Sequence, residues 1–340
     1  MIPIRINDLE KTDRIFLGWS SWNNYLDDVK KQLNHSGFRH VDIRKLKKNW
    51  RTLLLLPFIA LKMIFYLFHY DAFFLFNGKS FFLPIPLILY SKLPFLFFKD
   101  LWVLKLLNKK IYLVFQGSDI REYGNSSRYK YIRNVNSRIP STYSVVMGRY
   151  LRMANGIVVS TFDLFQDLPK YCLKRSVWIP KLATYDMYIH NCFRSLEGGF
   201  KSNKIVHATT NRELKGTNLL EEVFKKINNF KFTVLEGNAR SGIFQNAQDC
   251  FCCIDQLLSG GYGTFCMEMM ELGVPVLGYI SQTTRNMFAE KYGIDIPVLQ
   301  IEPDNLQTTI QKQLKFLSNF ENYCLQIKLQ KEFLEKFHKL

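Results

Sequence analysis

Between Gly260 and Val276 the chain reads Gly-Gly-Tyr-Gly-Thr-Phe-Cys-Met-Glu-Met-Met-Glu-Leu-Gly-Val-Pro-Val, a glycine loop, a short helix and a break into a strand. Glycines tolerate positive φ and let a ligand approach the backbone closely. A helix beginning near Thr264 would turn unpaired N–H groups toward an anion. Glu268 falls one turn into that helix, where a carboxylate can accept hydrogen bonds from ribose or sugar hydroxyls. A cradle for a diphosphate beside an acid for hydroxyls describes a nucleotide-sugar site. Any α/β protein with a tight strand-to-helix turn offers a similar loop, so the rest of the chain has to decide between the two.

Two further clusters bear on that choice. The run from His207 to Thr217 places Asn211, Arg212, Lys215 and Gly216 where a strand gives way to a helix. Two cations there suit a pyrophosphate and the charge that grows on a leaving diphosphate; the plainer alternative is a solvated loop with a capping Asn or Thr. Gln116-Gly117-Ser118-Asp119-Ile120-Arg121 also follows a strand. Ser118 and Asp119 can orient an acceptor hydroxyl there, while Asp119 can equally pair with Arg121 or cap a helix.

The elements that must carry these clusters alternate along the chain. Residues 14–18, 37–43, 70–76, 110–115, 155–161 and 177–180 read as strands, with helices over 24–36 and 101–108. Tyr70 to Phe76 is apolar after its single Asp, as in a parallel sheet buried on both faces. After an irregular stretch at 181–203 the pattern restarts with strands at 204–208 and 231–236. A helix over 218–228, the apolar strand Cys250-Phe251-Cys252-Cys253-Ile254 and a long amphipathic stretch from Leu306 to Leu340 complete it. Alternation of this kind implies doubly wound sheets, whose ligands bind beyond the carboxyl ends of strands.

Composition narrows the function. The 340 residues carry 46 Lys and Arg against 29 Asp and Glu, a formal +17, which calls for a polyanionic partner. No zinc-finger spacing or basic zipper is present, so nucleic acid is set aside in favour of an anionic membrane or phosphorylated substrate. Seven cysteines, an odd number, fit a reducing compartment. The spacing of Cys250, Cys252 and Cys253 suits a buried strand rather than zinc. The start, Met1 to Glu10, lacks the apolar core of a secretory signal, so a cytoplasmic location is expected. Residues 52–98 are strongly apolar but broken by Pro57, Lys62, Asp71, Asn77, Lys79 and the prolines 84, 86 and 94. A bilayer crossing needs about 20 consecutive apolar residues. Two compatible readings stay open: a buried helix and strands of an N-terminal domain, and in addition a peripheral surface that dips into a membrane, which Arg44, Lys45, Lys47, Lys48 and Arg51 support.

These clusters resemble glycosyltransferase family 4. Its donor loop, Glu-Gly-Phe-Gly, four residues, Glu-Ala-Met-Ala-x-Gly-x-Pro-Val, is matched at Gly261, Tyr262 (for Phe), Gly263, Glu268, Met270, Gly273, Pro275 and Val276. The family's first glutamate falls on Gly260, so its Glu-x7-Glu pair is half present. Lys215-Gly216 is similar to the end of the family's Gly-Arg-Leu, three residues, Lys-Gly segment, although Arg212 lies three residues before the Lys rather than five. Gln116 to Arg121 resembles a His-Gly-Ser-Asp-x-Arg loop with Gln116 in place of the His. Ser160 to Leu164 and Trp178-Ile179-Pro180 echo it too, and Gly18-Trp19-Ser20-Ser21 is a weak match to an N-terminal glycine loop. The resemblance covers most of residues 70 to 320.

It implies a GT-B fold, two Rossmann-like domains facing a cleft. The expected division is 1–180 for the acceptor side, 181–203 as linker, 204–320 for the donor side, and 321–340 as a helix packing back on the N-terminal domain. It implies transfer of a sugar from a nucleotide-diphosphate donor to a hydroxyl of a glycan or lipid-linked acceptor, with retention and without metal or cofactor. An Asp-x-Asp motif is absent as well. Lys215, Arg212 and Asp119 are then the catalytic candidates. Asn211, Gly216, Gly261, Tyr262, Gly263, Thr264 and Glu268 would bind the donor, and Gln116, Gly117, Ser118 and Arg121 the acceptor. The setting expected for such a reaction is the inner face of the cell membrane. The rival reading is a non-catalytic GT-B module that binds nucleotide or a partner protein.

Overall fold

Short apolar strands, buried on both faces and separated by helices, make two parallel sheets in the computed structural model of the chain. The structure describes residues 9, 14–18, 25–33, 38–40, 56–76, 99–121, 142–183, 202–237, 240–247 and 249–339. The described residues up to Lys181 form one compact unit and those from Leu182 onward the other.

In the N-terminal unit the strands are β1 (Ile15–Leu17), β2 (Phe38–His40), β3 (Ala72–Phe76), β4 (Lys110–Phe115), β5 (Gly156–Val159) and β6 (Ser176–Trp178). All pair in parallel in the order β2-β1-β3-β4-β5-β6. Alternation along the strands divides the core between two faces. Ile15, Leu17, Ala72, Phe74 and Tyr112 share one face with Tyr25, Leu26 and Val29 of helix α1 (Tyr25–Leu33). The Tyr25 hydroxyl donates to the Ile179 carbonyl at 2.6 Å, tying α1 to the end of this unit. On the other face the rings of Phe16 and Phe73 pack at a tilt, and Phe16 meets Tyr66 and Tyr70 at the end of helix α2 (Leu56–His69). Helices α3 (Lys99–Leu106) and α4 (Thr142–Met153) follow β3 and β4.

Part of the apolar stretch at 52–98 is thus α2 and β3. Pro57 sits in the first turn of α2, where its missing N–H costs no hydrogen bond. The basic cluster from Arg44 to Arg51 lies outside the described residues, as do residues 77–98, Trp19 to Ser21 and most of the expected linker.

The C-terminal unit contains β7 (Lys204–Thr209), β8 (Lys231–Glu236), β9 (Cys252–Ile254), β10 (Val276–Gly278) and β11 (Leu299–Gln300), in the order β11-β10-β9-β7-β8. All its pairings are parallel. The chain steps from β7 to β8 on one side, then returns to β9 on the other, so the order reverses between β7 and β9. Cys252 and Cys253 are wholly buried in β9, as a strand reading requires, and burial pushes both thiols well above their ordinary range. The helices are α5 (Thr217–Phe224), α6 (Arg240–Ala247), α7 (Thr264–Glu271), α8 (Gln282–Tyr292), α9 (Leu306–Leu317) and α10 (Phe320–Phe337).

One difference from the sequence reading has a clear cause. The stretch from Leu306 onward is two helices, because the Asn319 side chain accepts the Asn322 N–H and starts a new one. The final helix has contacts within the C-terminal unit. Phe333 and Phe337 pack on Phe288, and the Tyr323 hydroxyl donates to the Phe251 carbonyl at 2.9 Å.

The buried His207 of β7 ties the sheet to the start of α5. Its Nδ1 lies 2.8 Å from the Ile254 carbonyl and its Nε2 2.9 Å from the Thr217 hydroxyl. Burial lowers its pKa to about 4. In the unfolded chain an imidazole titrates near 6.5, so between those values the unfolded state binds the extra proton. His207 therefore supports folding fully above about pH 6.5 and loses that support as pH falls toward 4. Urea unfolding should show about 3 kcal/mol of stability lost over that window. A His207→Gln protein should show a flatter profile.

Candidate functional site

The carboxyl ends of β7 and β9 lie side by side at the point where the strand order of the C-terminal sheet reverses. Doubly wound sheets bind their ligands at such switch points. From the end of β7 the chain runs through Asn211 into a helical turn, Arg212–Lys215. From the end of β9 it runs through Asp255 to the glycine loop and α7. The Leu257 N–H donates to the Lys215 carbonyl at 3.3 Å, so the two segments are laced together.

Asp255 is the center of this junction, and the strand reading stops one residue short of it, at Ile254. Its side chain is only 2% exposed. One carboxylate oxygen accepts Lys215 Nζ at 3.0 Å, and the other accepts the Gly263 N–H at 2.9 Å. The Lys215 ammonium also lies 5.5 Å from the center of the Phe265 ring. One anion therefore fixes both the lysine and the residue that caps α7. A lone Asp closing an apolar strand at its carboxyl end is the sequence signal that marks it.

Two glycines are required by this geometry. Gly216, which starts α5, has φ 73°, and a Cβ there would lie 3.0 Å from Leu257 Cδ1. Gly260 has φ 69°, and a Cβ would lie 3.1 Å from that of Ser281. A glutamate at 260 would thus be strained on both counts. The Gly260 carbonyl accepts the Ser281 N–H at 3.0 Å and the Thr284 hydroxyl at 3.1 Å, anchoring the loop to α8. The Gln256 amide donates to the Gly261 carbonyl at 2.6 Å.

Among the donor-side candidates, Lys215, Gly216, Gly261, Gly263 and Thr264 come together at this edge. Glu268 is buried within α7, one turn beyond Thr264. The Tyr262 side chain is 4% exposed and faces α10, its hydroxyl 3.1 Å from His338 Nε2, so only its backbone borders the loop. Arg212 is directed elsewhere. Its guanidinium donates to Asn218 at 3.0 Å, to Glu236 at 2.9 Å and to Glu221. Asn211 donates its N–H to the Thr209 hydroxyl and accepts the Lys215 N–H on its carbonyl.

The acceptor-side candidates form a separate constellation at the end of β4, in the N-terminal unit. Asp119 is turned on its own loop, its carboxylate accepting the Gly117 N–H at 2.7 Å and the Gln116 N–H at 3.0 Å. Burial raises its pKa, while those two N–H groups and Arg121 act to lower it. Arg121 donates to Asp163 at 2.9 Å, and that carboxylate is 1% exposed. Trp178 Nε1 donates to the Ser160 carbonyl at 3.3 Å, and Ser160 Oγ donates to that of Gln116 at 3.3 Å. The motifs at Ser160–Leu164 and Trp178–Pro180 thus hold the loop of Gln116, Gly117 and Ser118 in place.

Asp255→Asn should keep the Gly263 contact and leave the Lys215 charge without its buried partner. Removing one member of a buried pair costs about 3–5 kcal/mol. Lys215 is 20% exposed, so a loss of about 2–4 kcal/mol is expected in urea unfolding. Adding Lys215→Met should recover part of that loss. Additive losses in the double variant would mean that the pair does not act as a unit.

In sequence, no protein-family model and no curated protein matches the chain. In structure, it is similar to the Anabaena protein Alr3699/HepE in complex with UDP-glucose, at 11% identity over 96% of this chain and 95% of that one, with a TM-score of 0.53. HepE in complex with UDP and glucose aligns at 12% identity over 96% of each chain, with a TM-score of 0.51. TarM aligns over 68% of this chain and 48% of its own at 16% identity, and its TM-score of 0.43 is too low to bear on the fold. The two HepE alignments span both parallel-sheet units, and the chain has the GT-B fold.

Proposed function

We propose that this protein is a glycosyltransferase that moves a sugar from a nucleoside-diphosphate sugar to a hydroxyl of a glycan or lipid-linked acceptor, with retention and without a metal ion. The observation that carries this reading is the convergence of Lys215 and the first turn of α7 on Asp255 at the switch point of the C-terminal sheet. The first-turn N–H groups beyond Gly263 face an incoming anion, and the helix dipole adds a partial positive charge. Lys215 keeps N–H donors beyond the one given to Asp255, and these would meet the charge developing on the leaving diphosphate. Glu268 would accept hydrogen bonds from the ribose. The loop of Gln116, Gly117 and Ser118, held by Asp119 and Arg121, would receive the acceptor. That HepE has been seen with UDP-glucose supports a uridine donor as the first to try.

A second reading, a GT-B module that binds nucleotide without turnover, rests on a specific observation. Lys215 and Arg212 are both already paired with carboxylates, so the site holds less free positive charge than its sequence suggests. Titration with UDP, run beside an assay for UDP release from UDP-sugars, separates the two. Release supports transfer, and tight binding with no release from any donor or acceptor supports the module.

Lys215→Ala should lower turnover by roughly 10²–10³, the scale for loss of one stabilising donor. Unchanged turnover in a folded variant would put the diphosphate elsewhere. Glu268→Gln should weaken UDP binding by roughly 1.5–3 kcal/mol, as for hydrogen bonds to a charged group. Equal affinity in calorimetry would leave Glu268 a buried structural acid.

A further inference from the structure

One face of the N-terminal unit carries exposed apolar residues that the donor chemistry does not use. On α2, Leu61 is 64% exposed, Ile64 47%, Phe65 59% and Phe68 64%. Their spacing of three, one and three residues puts all four within one arc of about 100°. Tyr66, Leu67 and Tyr70 are buried on the opposite side, against the sheet. On α3, Trp102 is 62% exposed and Leu106 72%, one turn apart, while Leu101 and Leu104 are buried. The chain moves in the same direction across the sheet from β2 to β3 and from β3 to β4. Right-handed crossovers therefore place α2 and α3 on the same face, with both apolar stripes outward.

The segment of sequence that carries these helices is strongly basic. Residues 41–110 hold twelve Lys and Arg and three Asp, a net +9 out of +17 for the whole chain. A second copy of the chain would bring like charge to like charge. An anionic lipid surface offers the opposite charge and an apolar interior together. At about 1.5 Å per residue, the 14 residues of α2 are too short to cross about 30 Å of hydrocarbon. Among the described residues no helix is long and apolar enough to cross a membrane. A helix of this kind lies along the surface with its apolar face down.

We propose that α2 and α3 form a docking face for an anionic phospholipid surface, with Leu61, Ile64, Phe65, Phe68, Trp102 and Leu106 entering the boundary between headgroups and acyl chains. This concerns where the protein sits and is independent of any donor or acceptor.

The test is co-sedimentation of the full chain with vesicles of equimolar phosphatidylglycerol and phosphatidylcholine, beside vesicles of phosphatidylcholine alone. Binding to the anionic vesicles is expected, accompanied by a blue shift of tryptophan emission. The chain has five tryptophans, so the shift is read as the difference between the native protein and Trp102→Phe. Phe65→Ser and Phe68→Ser change exposed positions and should each weaken partitioning roughly tenfold, with thermal unfolding unchanged. Absence of binding, or binding indifferent to both serine substitutions, overturns the proposal. So does a native dimer in analytical ultracentrifugation that the serine variants convert to monomer, since the face would then be covered by a second copy. None of these outcomes touches sugar transfer, which is read without lipid.

Discussion

Asp255 takes a lysine from one loop and a backbone N–H from the other, and the edge of the C-terminal sheet is arranged around that junction. A carboxylate with so little exposure is held there only because a cation and a hydrogen-bond donor meet it. Once it is in place, Lys215 and the cap of α7 have fixed positions relative to each other. Electrostatics follow from the same pairing. The Lys215 charge is balanced within the chain, so under the proposed reading attraction for an anion at this edge would depend on directed N–H groups more than on net charge. Such groups need no rearrangement when charge develops, which is the property that makes preorganised sites effective.

The same junction accounts for the missing glutamate of the resemblance. Position 260 has a left-handed backbone and Ser281 is close by, so the loop is built for glycine there. An acid is nonetheless present at the site, carried by the strand end five residues earlier. Whether an acid stands on the loop or on the strand changes what it can reach. Asp255 reaches the backbone of the loop and the lysine behind it, and so shapes the cradle.

Much of the fold was legible because parallel strands buried on both faces leave unbroken apolar runs, as in Ala72–Phe76 and residues 111–115 of β4. The reversal of strand order was not legible, since β8 and β9 look alike in sequence whichever side of β7 they join. Without it, the meeting of Lys215 with Asp255 could not be foreseen. Lys215 and the glycine loop were visible through spacing, but the direction of a flexible side chain was not. Arg212 has three partners that become neighbours only when α5 and β8 fold beside it. Asp119 lies open to several readings in sequence, and only the folded loop shows that two N–H groups come within its reach. The amphipathic pattern after Leu306 reads as continuous because the interruption at Asn319 is a cap rather than a glycine or proline.

The contact between Tyr262 and His338 joins residues 76 positions apart, and the His338 carbonyl also accepts the Ala183 N–H at 2.7 Å. During synthesis the strands of the C-terminal sheet can pair as they emerge, yet this brace on the glycine loop is missing until residue 338 has left the ribosome. Domains generally fold as units in the order they are made, and contacts distant in sequence close late. The cover that α10 gives Tyr262 can therefore form only after all the strands of that sheet have been made.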